Sequence, residues 1–252
     1  MSRPQELRLD HASVEVPDLT DAARVLDGRL GLSVTVSPAA SDRHGRIHLD
    51  RAYLEVSAAP TGAAWDVTHV FLRFSDPEGL RLHLDRAGIA YRFDVYEGVD
   101  GRWDDVTLDV DGVPVPILVR RTEPTEVARH WPPPLDLLHR CGATTLAEVH
   151  VPVPSIDPAI EIYRRLLGVD APSVLPGAHR RAVFRLPGSR IELVEGGERR
   201  AVVLGVSSLE EARDALGPVV PPVGDRGVAW LDPSATEGLV IGLREHRRRY
   251  RR

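Results

Sequence analysis

The sequence predicts an α+β protein made of four βαβββ units, paired two and two into domains with mixed sheets. The main observation is a pattern that appears four times: an alternating apolar strand, then Ser, Pro or Asp residues, then an amphipathic helix. A glycine follows each helix, and further short strands come after it. The copies begin as LDHASVEVPDL, VTHVFLRFSDP, LAEVHVPVPSI and RRAVVLGVSSL, and their helices stop at Gly31, Gly88, Gly168 and Gly217.

The units follow one another along the chain as residues 7–58, 66–121, 145–196 and 200–243. In the first unit the helix is predicted at 18–30, and RIHLDRAYLEV forms a hairpin in which Leu49 opposes Ala52. The second unit ends in a hairpin that turns at Asp111-Gly112. The fourth unit matches the pattern least well.

A break in the pattern divides the chain into two predicted domains. Residues 123–144 contain three consecutive prolines and no sustained periodicity, which is typical of a linker. We therefore expect an N-terminal domain at 1–122 and a C-terminal domain at 145–252, the latter ending in an arginine-rich tail.

Composition limits the classes of function. The chain has 252 residues, a net charge of −5 and no lysine, so a Schiff-base lysine is excluded and binding of nucleic acid by the whole protein is disfavoured. The single cysteine, Cys141, excludes an internal disulfide, and no apolar run reaches the ~18 residues of a membrane span. We expect a cytoplasmic protein. The tail REHRRRYRR is either a solvated terminus or a contact for nucleic acid or phosphate.

Strand parity predicts which side chains lie opposite the helices. In the first strand Ala12, Val14 and Val16 form an apolar face for the helix, which turns His11 to the other side. The same argument over the remaining strands of the first domain gives one polar surface, the predicted cup face. Its members are His11, Arg46, His48, Tyr53, Glu55, His69, Phe71, Arg73, Trp103 and Asp105. Such a surface is either a solvated sheet face or a binding site.

Four βαβββ units paired two and two resemble the vicinal oxygen chelate superfamily, which includes glyoxalase I and the extradiol dioxygenases. LDHASVEVPDL and HWPPPLDLLHRCGATTL look like the bacterial glyoxalase-like proteins. The resemblance implies cupped mixed sheets and metal ligands at His11, Glu55 and His69, in the glyoxalase I order, with a fourth position near Leu118. This N-terminal set suits Fe(II), Mn, Co, Ni or Zn.

Leu118 departs from the superfamily pattern because it cannot bind a metal. We expect Asp105 to pair with Leu118 across the hairpin, where it could ligate the metal or act as a base. The resemblance implies Glu55 as the alternative base. Arg46, His48 and Arg73 are candidates for orienting an anionic substrate, and Tyr53, Phe71 and Trp103 for an aromatic one.

Structural roles are the competing interpretation of the same residues. The histidines could only hydrogen-bond among themselves and to the neighbouring acids. Arg46 and Arg73 could form ion pairs with Glu55 and Glu15.

In the second half, the positions that correspond to His11, Glu55 and His69 are occupied by Glu148, Glu192 and Ala201. Without a histidine among these, we expect a poor transition-metal site and a pair between Glu192 and Arg185. His150 lies on the same face and favours a polar pocket. We therefore interpret this half as a degenerate domain that shapes the site, closes it or dimerises.

The leading hypothesis is a metal-dependent lyase or isomerase of the glyoxalase-like type. Its small substrate would chelate the metal through adjacent oxygens, and a carboxylate would move a proton. Two alternatives remain: an extradiol-type dioxygenase, and a metal-free protein that binds a small molecule. A homodimer is a further possibility, and no membrane partner is expected.

Overall fold

The computed structural model describes residues 6–36, 44–50, 52–59, 64–98, 101–122, 139–177 and 179–246. Within them the first half of the chain forms an eight-stranded sheet and the second half a seven-stranded sheet. Both sheets contain parallel and antiparallel pairs. The α+β prediction with mixed sheets is therefore confirmed.

The first sheet has the strand order β2-β3-β4-β1-β5-β8-β7-β6, which places the opening strands of the first two units side by side. Its strands are β1 (Arg8–Val16), β2 (Thr35–Val36), β3 (His44–His48), β4 (Tyr53–Ala58), β5 (Asp66–Arg73), β6 (Ala90–Gly98), β7 (Gly101–Asp109) and β8 (Ile117–Thr122). The pairs β1–β4 and β5–β8 are parallel, as two strands separated by a crossover helix require.

The second sheet repeats this plan with the order β10-β11-β12-β9-β13-β15-β14. Its strands are β9 (Ala143–Val153), β10 (Ser173–Leu175), β11 (Arg181–Leu186), β12 (Ser189–Glu195), β13 (Ala201–Val206), β14 (Val228–Trp230) and β15 (Val240–Glu245). The fourth unit has two strands after its helix among the described residues, where each of the other units has three.

In the described part of the chain each unit contains one α-helix, and the helix ends follow the capping residues. The helices are α1 (Leu19–Leu30), α2 (Pro77–Ala87), α3 (Ile156–Leu167) and α4 (Leu209–Leu216). Helix α1 begins one residue later than predicted because Asp18 is its extended N-cap, whose carboxylate accepts a hydrogen bond from Asp21 N at 2.8 Å. The glycines after α1, α2 and α3 adopt the left-handed conformation that ends a helix.

The apolar strand faces lie where parity predicts them. Ala12, Val14 and Val16 on β1 are at most 2% exposed. On β5, Val70 and Leu72 are buried, as is Phe74 just after the strand. Strand β1 is also buried on its other face, where His11 and Ser13 are 3% and 6% exposed. A buried polar face on a central strand is the first structural sign of a site, because burying polar groups costs free energy unless they are paired.

The contacts group the described chain into two compact units that interleave along the sequence. Among the described residues, the first comprises 6–10, 69–98, 101–122, 150–177 and 179–199, and it contains α2 and α3. Within this unit the Tyr163 hydroxyl donates to the Pro114 carbonyl oxygen at 2.8 Å. The second comprises 11–36, 44–50, 52–59, 64–68, 139–149 and 200–246, and it contains α1 and α4.

Some sequence predictions fall outside the described residues. These are the linker from 123 to 138, the proline motif within it, and the arginine tail from 247 onward. The division into domains at 123–144 stays a prediction. Among the described helices, none has the length and apolar character needed to cross a membrane.

Candidate metal centres

His11 lies within a buried stack on the cup face. It is opposite Tyr53 in the β1–β4 pair, and the two rings stack with centroids 4.4 Å apart. The guanidinium carbon of Arg46 lies 5.0 Å from the Tyr53 ring centroid, a cation–π geometry. All three side chains are buried, so this column combines an imidazole, a phenol and a cation away from bulk water.

Glu55 is the half-buried carboxylate next to that stack. It lies opposite Ser13 on β1, and Ser13 Oγ donates to Glu55 Oε1 at 3.4 Å. His44 Nδ1 lies 4.0 Å from the same oxygen. In the β3–β4 hairpin, Arg46 is opposite Glu55 and His48 is opposite Tyr53, which confirms the predicted register.

Strand β5 carries the remaining residues of the predicted set. His69 is exposed, and its ring centroid is 6.2 Å from that of Phe71. Arg73 forms an ion pair with the buried Asp10, with Nε 2.5 Å from Oδ1. The structural role expected for Arg73 is therefore present, but with Asp10 as its partner instead of Glu15.

The predicted pairing of Asp105 with Leu118 across the hairpin is wrong by one residue. Leu118 is opposite Val106, and Asp105 is opposite Val119. Leu118 is fully buried beside Leu72, on the apolar face of β5. The slip arises because β8 begins only at residue 117: Pro114 and Pro116 lack the N–H groups that a tight hairpin ladder would need.

The corrected register gives Asp104 and Asp105 different environments. Asp104 is buried, and Arg120 Nε donates to its Oδ2 at 2.8 Å while Arg102 donates to Oδ1. Burial raises the pKa of the Asp104 carboxyl, but the two guanidinium groups outweigh it, and the pKa lies below its ordinary value. Arg120 thus pairs with Asp104. Asp105 is half-buried on the opposite face of β7, so its predicted role stays a prediction.

The closest group of potential metal ligands lies on the second sheet. Glu148 and His150 are on β9 and Glu192 is on the neighbouring β12, and one ligand atom of each lies within 4.8 Å of the others. All three side chains are buried. We call them the C-terminal cluster. Among the described residues, no other three His, Cys, Asp or Glu side chains come this close together.

The cluster's carboxylates are held by arginines. Arg244 Nη1 donates to Glu148 Oε2 at 2.6 Å, and Arg181 Nη1 donates to Glu192 Oε1 at 3.0 Å. The predicted pair between Glu192 and Arg185 is wrong, because Arg185 lies opposite Arg190 and Glu192 lies opposite Val183. Each of these two arginine contacts engages one of the two oxygens of its carboxylate. Two carboxylates and an imidazole therefore fit a divalent metal, with the arginines offsetting the buried negative charge.

Matched strand positions alone do not reveal this cluster as a metal site. Glu148 and His150 are two residues apart on β9, so period-two alternation turns both to one face. Glu192 reaches the same place from β12. The sequence already places these three residues on one face, and counting His150 as a ligand beside the two acids would have marked the group as a candidate metal site. The N-terminal set and the substrate-binding candidates Phe71, Trp103 and His48 remain predictions.

Comparison with solved structures identifies the fold. The extradiol ring-cleaving dioxygenase of Brevibacterium fuscum superposes with a TM-score of 0.65 and 17% identity, over 96% of this chain and 72% of that one. Homoprotocatechuate 2,3-dioxygenase of Arthrobacter globiformis gives 0.67 and 17%, over 96% and 80%. A hypothetical protein of Staphylococcus aureus gives 0.63 and 8%, over 95% and 99%.

Comparison by sequence does not identify a family for this chain. No family model matches the chain, and no curated protein matches it by sequence. At these identities the structural likeness shows the fold alone. The chain has the vicinal oxygen chelate fold of its structural neighbours, and its described residues form two mixed sheets with one helix per unit.

Proposed function

We propose that this protein is a metal-dependent enzyme that binds one divalent ion at the C-terminal cluster. The supporting observation is the convergence of Glu148, His150 and Glu192 within 4.8 Å in a buried position. Two carboxylates and an imidazole are hard and borderline donors that suit Mn, Fe(II) or Zn. Among the described residues, this trio is also the only group of three His, Cys, Asp or Glu side chains whose ligand atoms lie this close together.

The chain's own residues would hold and orient these ligands. Arg244 and Arg181 fix the two glutamate side chains, as hydrogen-bonded neighbours of metal ligands do in known sites. A bound divalent ion would supply Lewis acidity to the adjacent oxygens of a small chelating substrate. If the ion binds instead at the N-terminal set, Glu55 and Asp105 are the candidates for moving a proton there.

Two reaction classes fit such a substrate. The proposal from the sequence is a glyoxalase-like lyase or isomerase, in which a carboxylate moves a proton next to a carbonyl. The second candidate is extradiol-type ring cleavage, favoured by the dioxygenases that cover 96% of this chain. One of their structures is a complex with HPCA. For this chain, the fold supports both classes equally.

An activity screen on untagged protein separates the classes. After loading with Mn, Fe(II) or Zn, oxygen uptake with homoprotocatechuate tests ring cleavage, and deuterium exchange beside the carbonyl of α-hydroxycarbonyl compounds tests proton transfer. We expect one of the two activities, and we expect His150→Ala to abolish it. The matched variant His179→Ala changes an exposed histidine of the same half and should leave activity unchanged.

The metal-free alternative makes the opposite prediction. A binding protein would retain a small aromatic ligand with equal affinity before and after treatment with a chelator. Equal binding, together with an absence of both activities in metal-loaded protein, would contradict the proposed enzyme.

A further inference from the structure

Strand β6 is an unusually long sheet edge. It is the terminal strand of the first sheet and has nine residues. The other three terminal strands, β2, β10 and β14, have two, three and three residues. Short edge strands are a common protection against unwanted pairing, whereas a long edge presents a row of backbone donors and acceptors. Within the described part of the chain, no strand pairs with the outer side of β6.

The side chains of β6 are suited to pairing. Tyr91, Phe93 and Val95 share one face, where the Tyr91 and Phe93 rings meet edge to face. Phe93 also contacts Phe74. Val95 and Tyr96 are 52% and 53% exposed, which is high for large apolar side chains in a strand. A second strand beside β6 would cover them.

We propose that β6 pairs with β6 of a second copy of this chain, antiparallel about a twofold axis through Phe93. Arg92 then lies opposite Asp94 of the partner subunit, and Asp94 lies opposite the partner's Arg92. Tyr91 lies opposite the partner's Val95. This isologous arrangement extends the eight-stranded sheet across two subunits, and it does not depend on the proposed metal function.

The charges on β6 favour this register over the registers whose twofold axis passes through an adjacent residue. In a twofold antiparallel pair, one residue must lie opposite its own copy. Moving the axis by one residue places Arg92 opposite Arg92 of the partner subunit, or Asp94 opposite the partner's Asp94. Directly opposed like charges destabilise a sheet, and opposite charges stabilise it. Moving the axis to Val95 places Phe93 opposite the partner's Glu97, which is also unfavourable.

The charges are already arranged for such a pair. Arg92 Nε lies 2.7 Å from Asp94 Oδ2 on the same face of β6. Adding the partner would close a ring of four alternating charges around the axis. The exposed Arg92 side chain and the nearby Asp94 have no other ion pair in the described structure.

Charge exchange on the full-length protein tests the proposal, with sedimentation equilibrium as the measurement. The wild type should be a dimer. Arg92→Asp and Asp94→Arg should each weaken self-association about tenfold or more, because each change makes two opposed pairs repulsive. Combining both changes in one chain restores opposite charges and should restore the dimer. Mixing the two single variants should produce heterodimers.

Controls separate this result from misfolding or a general charge effect. Arg24→Asp reverses a similarly exposed arginine on α1 and should leave the dimer intact. Thermal melting of every variant checks that it folds. A monomeric wild type at high micromolar concentration would overturn the proposal. So would a dimer that persists in both single variants, or a mixture of them that stays monomeric.

Discussion

At the scale of single residues, His139 shows how one buried side chain joins distant segments. Its Nδ1 accepts a hydrogen bond from Ser33 N at 3.1 Å, so its Nε2 carries the proton and donates to the His48 carbonyl oxygen at 2.7 Å. The ring is therefore neutral in this arrangement. Burial lowers the pKa of His139 below its ordinary value, although the His48 carbonyl and Asp27 oppose the shift.

This geometry predicts a loss of stability in mild acid. The unfolded chain takes up a proton at His139 near about pH 6.5, before the folded chain does, so this contribution is present above that pH. It is lost as the pH falls through the lowered folded pKa. Urea unfolding as a function of pH should show that His139→Ala costs about 2 kcal/mol near neutrality and reduces the slope below it. His179→Ala should keep the wild-type slope; an unchanged slope for both variants would contradict the account.

At the scale of elements, glycine and capping residues set where helices end. Gly31 follows α1 with a φ of 61°, and a Cβ there would lie 2.7 Å from the Cβ of Arg140. Gly28 lies within the same helix with nothing within 4 Å of an added Cβ. The backbone therefore requires glycine at position 31, whereas position 28 has room for a larger residue.

These two glycines should respond to alanine with opposite signs. Gly31→Ala should lower the free energy of unfolding by about 1–2 kcal/mol or more, because both backbone strain and the Arg140 contact oppose it. Gly28→Ala should raise it by about 0.5–1 kcal/mol through helix propensity. Urea denaturation measures both. Equal effects of the same sign would show that the end of α1 is placed incorrectly.

Helix α3 is capped by a residue far away in sequence. Its N-cap, Ser155, makes no side-chain capping bond, and Glu195 Oε1 on β12 instead accepts from Ile156 N at 2.9 Å. Glu195→Ala should therefore cost about 0.5–2 kcal/mol of stability, whereas Ser155→Ala should cost much less. Chemical denaturation of both variants checks this. A larger loss for the serine variant would refute the tertiary cap.

The sequence predicted elements better than their registers. The β3–β4 hairpin was predictable because its apolar alternation is strict, and Arg46 opposite Glu55 follows from it. The β7–β8 hairpin was not, because the Asp111-Gly112 pair indicated a tight turn that Pro114 and Pro116 interrupt. A slip of one residue turns every side chain of a strand to the opposite face of the sheet, which is why Leu118 lies on the apolar face and not on the cup face.

At the scale of the whole molecule, the repeat predicts the fold, but one member of the C-terminal cluster, His150, lies outside the positions that the repeat matches. Four recurring units predicted two mixed sheets, and the described residues contain them. The sequence places the C-terminal cluster on one face but favours a polar pocket over a metal site there, because His150 lies two residues beyond the position matched by Glu148. Side-chain convergence from two strands depends on register, which local patterns specify weakly.

The metal content of protein purified without a His-tag tests the central claim most directly. Elemental analysis after loading with Mn, Fe(II) or Zn should find about one ion per chain in the wild type and in His69→Ala. It should find almost none in His150→Ala, with thermal melting showing that this variant is folded. Metal retained in His150→Ala but lost from His69→Ala would place the ion at the N-terminal set and contradict the proposal.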